Sequence, residues 1–335
     1  REEQRTKAMA LIGMSIGAVF LLSMAIAPPL GESIGVDGLI WITALLGVLA
    51  LIVLHWVVPT PSRHLRHRDV TPTAERIVTV LRDPQLLRLD GGIFVLHLVL
   101  TALFVVIPSE INRLTGLPLA EHWSVYVPVI LASVLGMIPL VILGSKPGRV
   151  GQMFHLAIGV LLIGLVSMAL VAALPVPGLV WMPLTLWIFF VGFNALEAML
   201  PSLVSRVAPA ADKGSAIGVY NTLQFLGVFV GGSLAGWLAS RHGAHSVYIV
   251  CAALTLVWLI VGLVSPAFRL SSSRVIHVGD ASDSSHVQAL VDRIRGVRGV
   301  QEVTIVRGEA LAYLKVDDRE LDIAALQQFD QKRGD

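Results

Sequence analysis

The sequence predicts an all-α polytopic membrane protein that ends in a small α+β ferredoxin-like domain. Hydrophobic residues make up 55% of the 335 residues and charged residues only 14%, whereas the surface of a soluble domain needs roughly 25% charged residues. Apolar runs of about 20 residues, the length that crosses a bilayer as a helix, recur as far as residue 266. Beyond residue 275 the chain becomes densely charged and its apolar residues follow a different period.

Eight apolar runs are predicted to be transmembrane helices. Lipid leaves no water to satisfy free backbone groups, so each run must be a helix or part of a closed barrel. The runs lack the ten-residue alternation of barrel strands, which favours helices. They are 8–27, 36–58, 91–109, 124–143, 153–174, 179–203, 215–239 and 246–266.

The distribution of Lys and Arg predicts that both termini are cytoplasmic. Five connecting segments, taken alternately from the N-terminus, carry 15 of the 25 Lys and Arg residues, while the intervening connections carry only Arg113 and Arg241. Loops rich in these residues stay on the cytoplasmic side. The single cysteine, Cys251, excludes both a disulfide framework and a thiolate metal site.

An internal repeat predicts a six-helix unit. Gly13 and Gly31 recur 205 positions later as Gly218 and Gly236, each pair bracketing a helix that follows a basic loop. Such duplications are common in transporters. Because the chain opens at Arg1 without the order of a signal peptide, we expect about four helices of a longer protein to precede it.

The predicted domains follow from these helices. Residues 1–58 hold the last two helices of a first bundle, 59–90 the cytoplasmic loop between bundles, and 91–266 a second bundle of six helices. Residues 267–274 form a linker and 275–335 the ferredoxin-like domain.

The C-terminal domain is predicted from changes in periodicity. Residues 275–279, 300–306 and 310–316 alternate as strands, and Val287, Leu290, Val291 and Ile294 form the stripe of an amphipathic helix. With a last helix over 320–329 the order is β-α-β-β-α, a ferredoxin-like sandwich without its fourth strand. From residue 275 onward there are 8 Lys and Arg against 11 Asp and Glu. This acidic domain lacks the aromatic pairs of an RNA reader, so nucleic acid is not an expected partner.

Glu197 is the one acidic residue that lies neither in a predicted loop, nor near the end of a predicted span, nor in the C-terminal domain. A carboxylate at that depth costs about 2.5–3.5 kcal/mol and marks a functional site by default. Asn194 and Pro201 share its helix face, and the proline should bend the helix there. One interpretation is a protonatable carboxylate facing the pathway. The other is a latch that pairs with Arg206 or Lys213 in one state.

Further polar residues in the spans are candidates for the substrate pathway. Tyr220, Asn221 and Gln224 cluster on one helix, where their hydrogen bonds serve either substrate contact or helix–helix packing. His97 lies mid-span with Thr101 one turn later. It is either a neutral, hydrogen-bonded histidine or a titrating pathway residue. His277 and His286 alone do not form a metal ligand set, and we predict no metal and no cofactor.

Small residues and prolines predict close packing and a hinge. Glycines spaced GxxxG let helix backbones approach closely, and two prolines with Gly31 should close or kink the first helix. The packing and hinge candidates are Gly13, Gly17, Pro28, Pro29, Pro201, Gly218, Gly227 and Gly231.

Four segments together resemble the major facilitator superfamily, specifically the YajR-type transporters of its drug:proton antiporter branch. These segments are 1–10, 193–205, 213–227 and 299–317. The resemblance implies twelve helices in two bundles with rocking alternating access, of which this chain holds helices 5–12. The last segment resembles the YAM domain of that group, a metal-chaperone-like fold without the cysteines.

Two further motifs are interpreted through this resemblance. Residues 13–31 look like a degraded helix-5 antiporter motif. Residues 144–149 look like the second-half copy of the gating-loop motif without its aspartate, which makes Lys146, Gly148 and Arg149 gating-loop candidates.

The predicted function is proton-coupled efflux of small amphipathic molecules across an inner membrane, by a monomer that binds substrate, protons and lipid. Two alternatives stay open: a sensor whose C-terminal domain binds an ion, lipid or partner, and a facilitator for sugars or other metabolites. The sequence shows no paired catalytic carboxylates and no Ser/His/Asp set at one depth, so an enzyme is not expected.

Overall fold

A computed structural model describes the backbone of most of the chain. The described residues are 2–59, 74–146, 148–174, 178–209, 212–268, 270, 272–278, 284–306, 311–317 and 320–330.

Helices account for all the described secondary structure up to residue 264. They are α1 (Glu2–Trp56), α2 (Ala74–Arg82), α3 (Pro84–Thr115), α4 (Trp123–Gly144), α5 (Val150–Ala173), α6 (Gly178–Val207), α7 (Lys213–His242) and α8 (Ala244–Val264), with a 3-10 turn at Leu119–Glu121. Among the described residues, seven helices are long and apolar enough to cross a membrane. The predicted polytopic α-helical class is confirmed.

The first two predicted spans form one segment, α1, with a break at Gly35. Gly35 has a φ of 71° and a ψ of 176°, a conformation that glycine adopts readily because it has no Cβ. Pro28 and Pro29 lie inside the helix instead of ending it. The hinge predicted at these prolines was therefore placed too early. Proline fixes φ near the helical value, so it removes a hydrogen bond without forcing the chain to leave the helix.

Helix α3 begins before and ends after its predicted bounds of 91–109. The Asp83 side chain accepts hydrogen bonds from the backbone N–H groups of Gln85, at 2.7 Å, and Leu86, at 3.1 Å. This is an N-cap with Pro84 at the first helical position, where a missing N–H costs nothing. The longer helix brings Asp90 and Glu110 inside the apolar segment.

Glycines set the closest helix–helix contacts. At Gly227 and Gly231 of α7, a Cβ atom would collide with the backbone of α3 at Phe94 and Leu98. At Gly192 of α6, a Cβ would lie 2.6 Å from the amide nitrogen of Leu161 on α5. Such approaches are the packing that small residues permit in membranes.

Gly218 does not mark a contact of this kind. A Cβ at Gly218 would meet nothing within 4 Å. Gly13 and Gly17 lie in the first part of α1, and no neighbouring atoms are described for them.

The chain divides into two compact units. The first comprises 1–66, 91–199 and 223–265, and the second comprises 67–90, 200–222 and 266–335.

The C-terminal part of the second unit has the predicted ferredoxin-like topology. Its elements are β1 (Ser272–His277), α9 (Ser284–Arg295), β2 (Val300–Val306), β3 (Leu311–Val316) and α10 (Ile323–Gln327). The sheet order is β1-β3-β2 with both pairs antiparallel, the arrangement of a split β-α-β unit with a third strand inserted. The strand predicted at 300–306 is confirmed, whereas β1 begins before the predicted 275. Residues 307–310, which connect β2 to β3, lie outside the described residues.

Candidate functional site

Glu197 lies on the face of α6 that meets α3. Its Oε2 atom is 3.9 Å from Nε2 of His97, beyond hydrogen-bond distance. This oxygen is buried and has no hydrogen-bond partner among the described residues, whereas the Glu197 side chain as a whole is 38% exposed. One carboxylate oxygen therefore faces the inside of the bundle while part of the group stays accessible.

His97 bridges the carboxylate on α6 and an amide on α7. Its Nε2 atom lies 2.7 Å from Nε2 of Gln224, and the ring of Phe193 packs beside it at 5.9 Å. The close approach of α3 and α7 at Gly227 allows this contact, since Gln224 is less than one turn earlier on the same helix. When the amide nitrogen of Gln224 donates, Nε2 of His97 accepts, and the imidazole is neutral.

Asn194 has a different partner from Glu197. Its amide donates to the hydroxyl of Ser133 on α4, at 2.8 Å, and that hydroxyl donates to the carbonyl of Ile130, at 2.7 Å. Asn194 thus joins α6 to α4. Ser133 was not a candidate from the sequence, although a serine in the middle of an apolar run is a signal of this kind of contact.

The remaining pathway candidates are dispersed. Tyr220 is buried and Asn221 is exposed on α7, so the predicted cluster of three contributes only Gln224 to the contact with His97. Thr101 is half-buried, and its Cγ2 atom would lie 3.6 Å from a Cβ at Gly232. Pro201 lies within α6, which remains helical from Gly178 to Val207.

The gating-loop candidates lie in the turn between α4 and α5. Lys146, Gly148 and Arg149 are all exposed, and Gly148 has a φ of 76°. A residue with a Cβ would be strained at this φ, which explains a glycine in the turn. Pro147 lies outside the described residues.

Two buried acidic residues were missed because the sequence placed them at the ends of a span. Glu110 accepts two hydrogen bonds from Arg113, at 3.0 and 2.7 Å, a bidentate pair within α3. Asp90 is 1% exposed, and neither of its carboxylate oxygens has a hydrogen-bond partner among the described residues. The cap signal at Asp83 and Pro84 could have predicted the earlier start of α3 and hence the burial of Asp90.

The described residues contain no group of three or more His, Cys, Asp or Glu side chains that could hold a metal ion. The chemistry that these residues offer is proton binding and hydrogen bonding.

Membrane-length helices in which an acid, an imidazole and an amide from three helices lie close together are typical of membrane transport proteins. The chain belongs to the Major Facilitator Superfamily, whose family model matches residues 1–232 and 184–298. This membership confirms the resemblance read from the sequence, and it makes the chain a membrane transport protein and not an enzyme.

Its relatives include transport proteins of bacterial membranes. The chain is 35% identical over 320 residues to the "Inner membrane transport protein YajR" of Escherichia coli (strain K12), which covers 95% of this chain and 69% of that protein. It is 28% identical over 232 residues to an uncharacterized transporter of Buchnera aphidicola subsp. Acyrthosiphon pisum (strain APS), covering 69% of this chain and 58% of the relative. It is also 28% identical over 265 residues to an uncharacterized transporter of Buchnera aphidicola subsp. Schizaphis graminum (strain Sg), covering 78% and 66%.

Proposed function

We propose that the protein is a proton-coupled exporter of small amphipathic molecules, in which Glu197 binds the transported proton. The observation that carries the proposal is the position of the Glu197 carboxylate, with a buried oxygen 3.9 Å from His97. A carboxylate inside a helical bundle is costly when ionised. It therefore has a reason to exchange a proton as its surroundings change.

The proton and the hydrogen bonds of the site are linked. With the proton on Glu197, both Glu197 and His97 are neutral, and the Gln224 amide donates to the ring. When His97 carries the proton instead, its Nε2–H becomes a donor, either to the Glu197 carboxylate or to a Gln224 amide that has turned to present its oxygen. With the proton on Glu197, the hydrogen bond of His97 connects α3 to α7. With the proton on His97, the hydrogen bond connects α3 to α6 or to α7, so the position of the proton biases which helices are held together.

The exposed face of α7 supports an amphipathic substrate. Phe225 and Phe229 are 70% and 69% exposed and lie one helical turn apart. Asn221 is exposed one turn before Phe225. Residues at i, i+4 and i+8 share a face, so the helix presents two aromatic rings and an amide together. Such a surface suits a molecule with an apolar body and a polar group.

The cellular setting follows from the same family. We infer a multi-pass protein of the inner membrane, as the name of the Escherichia coli relative states for that protein. Both termini are cytoplasmic by the Lys and Arg distribution. The protein acts as a monomer in the bilayer, with protons and small molecules as its ligands.

Transport in proteoliposomes tests this proposal. The protein is reconstituted as its full-length natural chain and is given an imposed pH gradient and a panel of fluorescent amphipathic amines and neutral sugars, with a pH-sensitive dye inside the vesicles. We expect saturable movement of at least one amphipathic compound together with proton movement in the opposite direction. Equilibrative sugar movement without proton movement would instead identify a facilitator, and the absence of any flux would favour the sensor.

A further inference from the structure

The central strand of the C-terminal domain buries a lysine on its outer face. Leu314 and Val316 of β3 point into the core of the domain, as alternation in a strand requires. Lys315 between them points to the opposite face of the sheet, which helices of the domain do not cover in a two-layer sandwich. Lys315 is nevertheless only 7% exposed. Another part of the second unit therefore covers this face.

Lys315 reaches the end of helix α6. Its Nζ atom donates a hydrogen bond to the carbonyl of Ala208, the residue that follows Val207 at the end of the helix. Carbonyls at this end have no partner within a helix and carry the negative end of its dipole, so a lysine is a suitable cap. Glu302 lies directly opposite Lys315 on β2.

The electrostatic surroundings of Lys315 come from several elements. Burial lowers the pKa of Lys315, and the field of Lys213 at the start of α7 acts in the same direction. Glu302 and Asp83, the N-cap of α3, oppose this change in the pKa. The lysine thus lies where the C-terminal domain meets the ends of three membrane helices. As either an ammonium or an amine it can donate to the carbonyl.

A second contact attaches the linker to α3. The Nη1 atom of Arg88 donates to the carbonyl of Pro266 at 2.8 Å, and the guanidinium lies 3.9 Å from the centre of the Phe268 ring. A cation over an aromatic face is attracted by the electron density of the ring. The linker that leaves α8 is therefore held where α3 begins.

We propose that the C-terminal domain and its linker form an intramolecular clamp that holds the start of α3 and the end of α6 together. Arg88 of α3 binds the linker at the carbonyl of Pro266, and Lys315 of β3 binds the carbonyl of Ala208. The same two helices carry His97 and Glu197. Holding their ends limits how far α3 and α6 move relative to one another, so release of the clamp is a step that sets the rate of the transport cycle. The clamp itself does not depend on which ion or substrate is carried.

Hydrogen exchange of the protein in lipid nanodiscs tests the clamp independently of transport. Lys315→Met keeps the aliphatic stem but removes the donor. We expect the backbone amides of 204–208 to exchange about tenfold faster or more, as the loss of a hydrogen bond from a charged group predicts, while β2 and β3 remain protected. Arg295→Met, which removes an exposed cation from α9 of the same domain, should exchange like the wild type.

A second variant keeps the test decisive if Lys315→Met unfolds the domain. Arg88→Met changes a membrane helix and leaves the core of the C-terminal domain intact. Faster exchange at both 267–268 and 204–208, with β2 and β3 still protected, would sustain the clamp. If either variant keeps a folded C-terminal domain and exchanges at the wild-type rate, the clamp proposal is overturned.

Discussion

The hydrogen bond between His97 and Gln224 is a partly buried polar contact beside the Glu197 carboxylate. The two side-chain nitrogen atoms are 2.7 Å apart, and the ring of Phe193 packs beside the imidazole at a tilt of 59°. A hydrogen bond of this kind contributes about 1 kcal/mol net, but removal of one partner leaves the other buried and unsatisfied, at a cost of about 1–3 kcal/mol. The amide on α7 therefore stabilises the protein as well as orienting the imidazole.

Gln224→Leu should lower the free energy of unfolding by about 1–3 kcal/mol, because His97 loses the amide without gaining water. Thermal unfolding in detergent measures the change. The matched control is Asn221→Leu, since Asn221 lies on the same helix but is exposed; it should stay within about 0.5 kcal/mol of the wild type. Equal losses of unfolding free energy in the two variants would show that the contact with His97 does not stabilise the protein.

Sequence reasoning identified most of these residues but not their pairing. Glu197 was predicted because a lone carboxylate in a span is costly, and His97 and Gln224 because they are polar in apolar runs. His97 and Gln224 are 127 positions apart, and neither residue alone indicates its partner. Asn194 shares the helix face of Glu197, yet its amide reaches Ser133 on another helix. Such a choice depends on helix packing, which periodicity does not specify.

Helix α7 contacts α3 through glycine. A Cβ at Gly231 would lie 2.8 Å from the Cα atom of Leu98, so the two backbones touch without side chains between them. Packing of this kind replaces the hydrophobic effect, which does not hold helices together in lipid. The contact also keeps Gln224 within reach of His97.

Gly231→Ala should force α7 away from α3 and destabilise the protein by about 1–3 kcal/mol, the usual cost of overpacking. Gly218→Ala is the control on the same helix, because its Cβ would meet nothing within 4 Å. Alanine is the better helix former by about 1 kcal/mol, so Gly218→Ala should be neutral or slightly stabilising. A loss of stability in both variants, measured by thermal unfolding, would refute the assignment of Gly231 to the interface.

The helices themselves were predictable, whereas several of their ends were not. Long apolar runs leave few alternatives to a helix in a membrane. The position of the break in α1 depends on which residue adopts a positive φ, and Gly35 does so in place of the two prolines. The start of α3 depends on a local cap at Asp83. Strand β2 was predicted to the residue because alternation and a polar boundary coincide there.

At the scale of the whole molecule, the C-terminal domain shares a compact unit with the ends of membrane helices. Arg88, within the range 59–90 that was predicted to be a cytoplasmic loop, contacts the carbonyl of Pro266 at the start of the linker. The end of α6 is a further neighbour, through Lys315. Net charge does not indicate either contact, because both acceptors are backbone carbonyls. The second contact also depends on the orientation of β3, which sequence alone does not provide.

Deletion of residues 275–335 should change the transport rate without abolishing transport, because the deletion removes Lys315 but none of the residues around Glu197. The measurement is the initial rate in proteoliposomes at low and high salt, with membrane levels checked. We expect the truncated protein to lose part of the salt dependence, since the charged contacts of the domain are screened by salt. Complete loss of flux at normal membrane levels would show that the domain is required for the transport cycle.

The central claim is that Glu197 carries the transported proton, and substrate counterflow compared with pH-driven transport in Glu197→Gln tests it most directly. Glutamine keeps the shape of the side chain and its capacity for hydrogen bonds, but its amide cannot bind and release a proton as a carboxylate does. The account predicts that this variant still exchanges substrate across the membrane but no longer moves it in response to a pH gradient. The control Glu121→Gln, at an exposed residue of the 3-10 turn, should behave like the wild type. If Glu197→Gln retains pH-driven transport with the pH dependence of the wild type, the claim is contradicted and Glu197 is a latch.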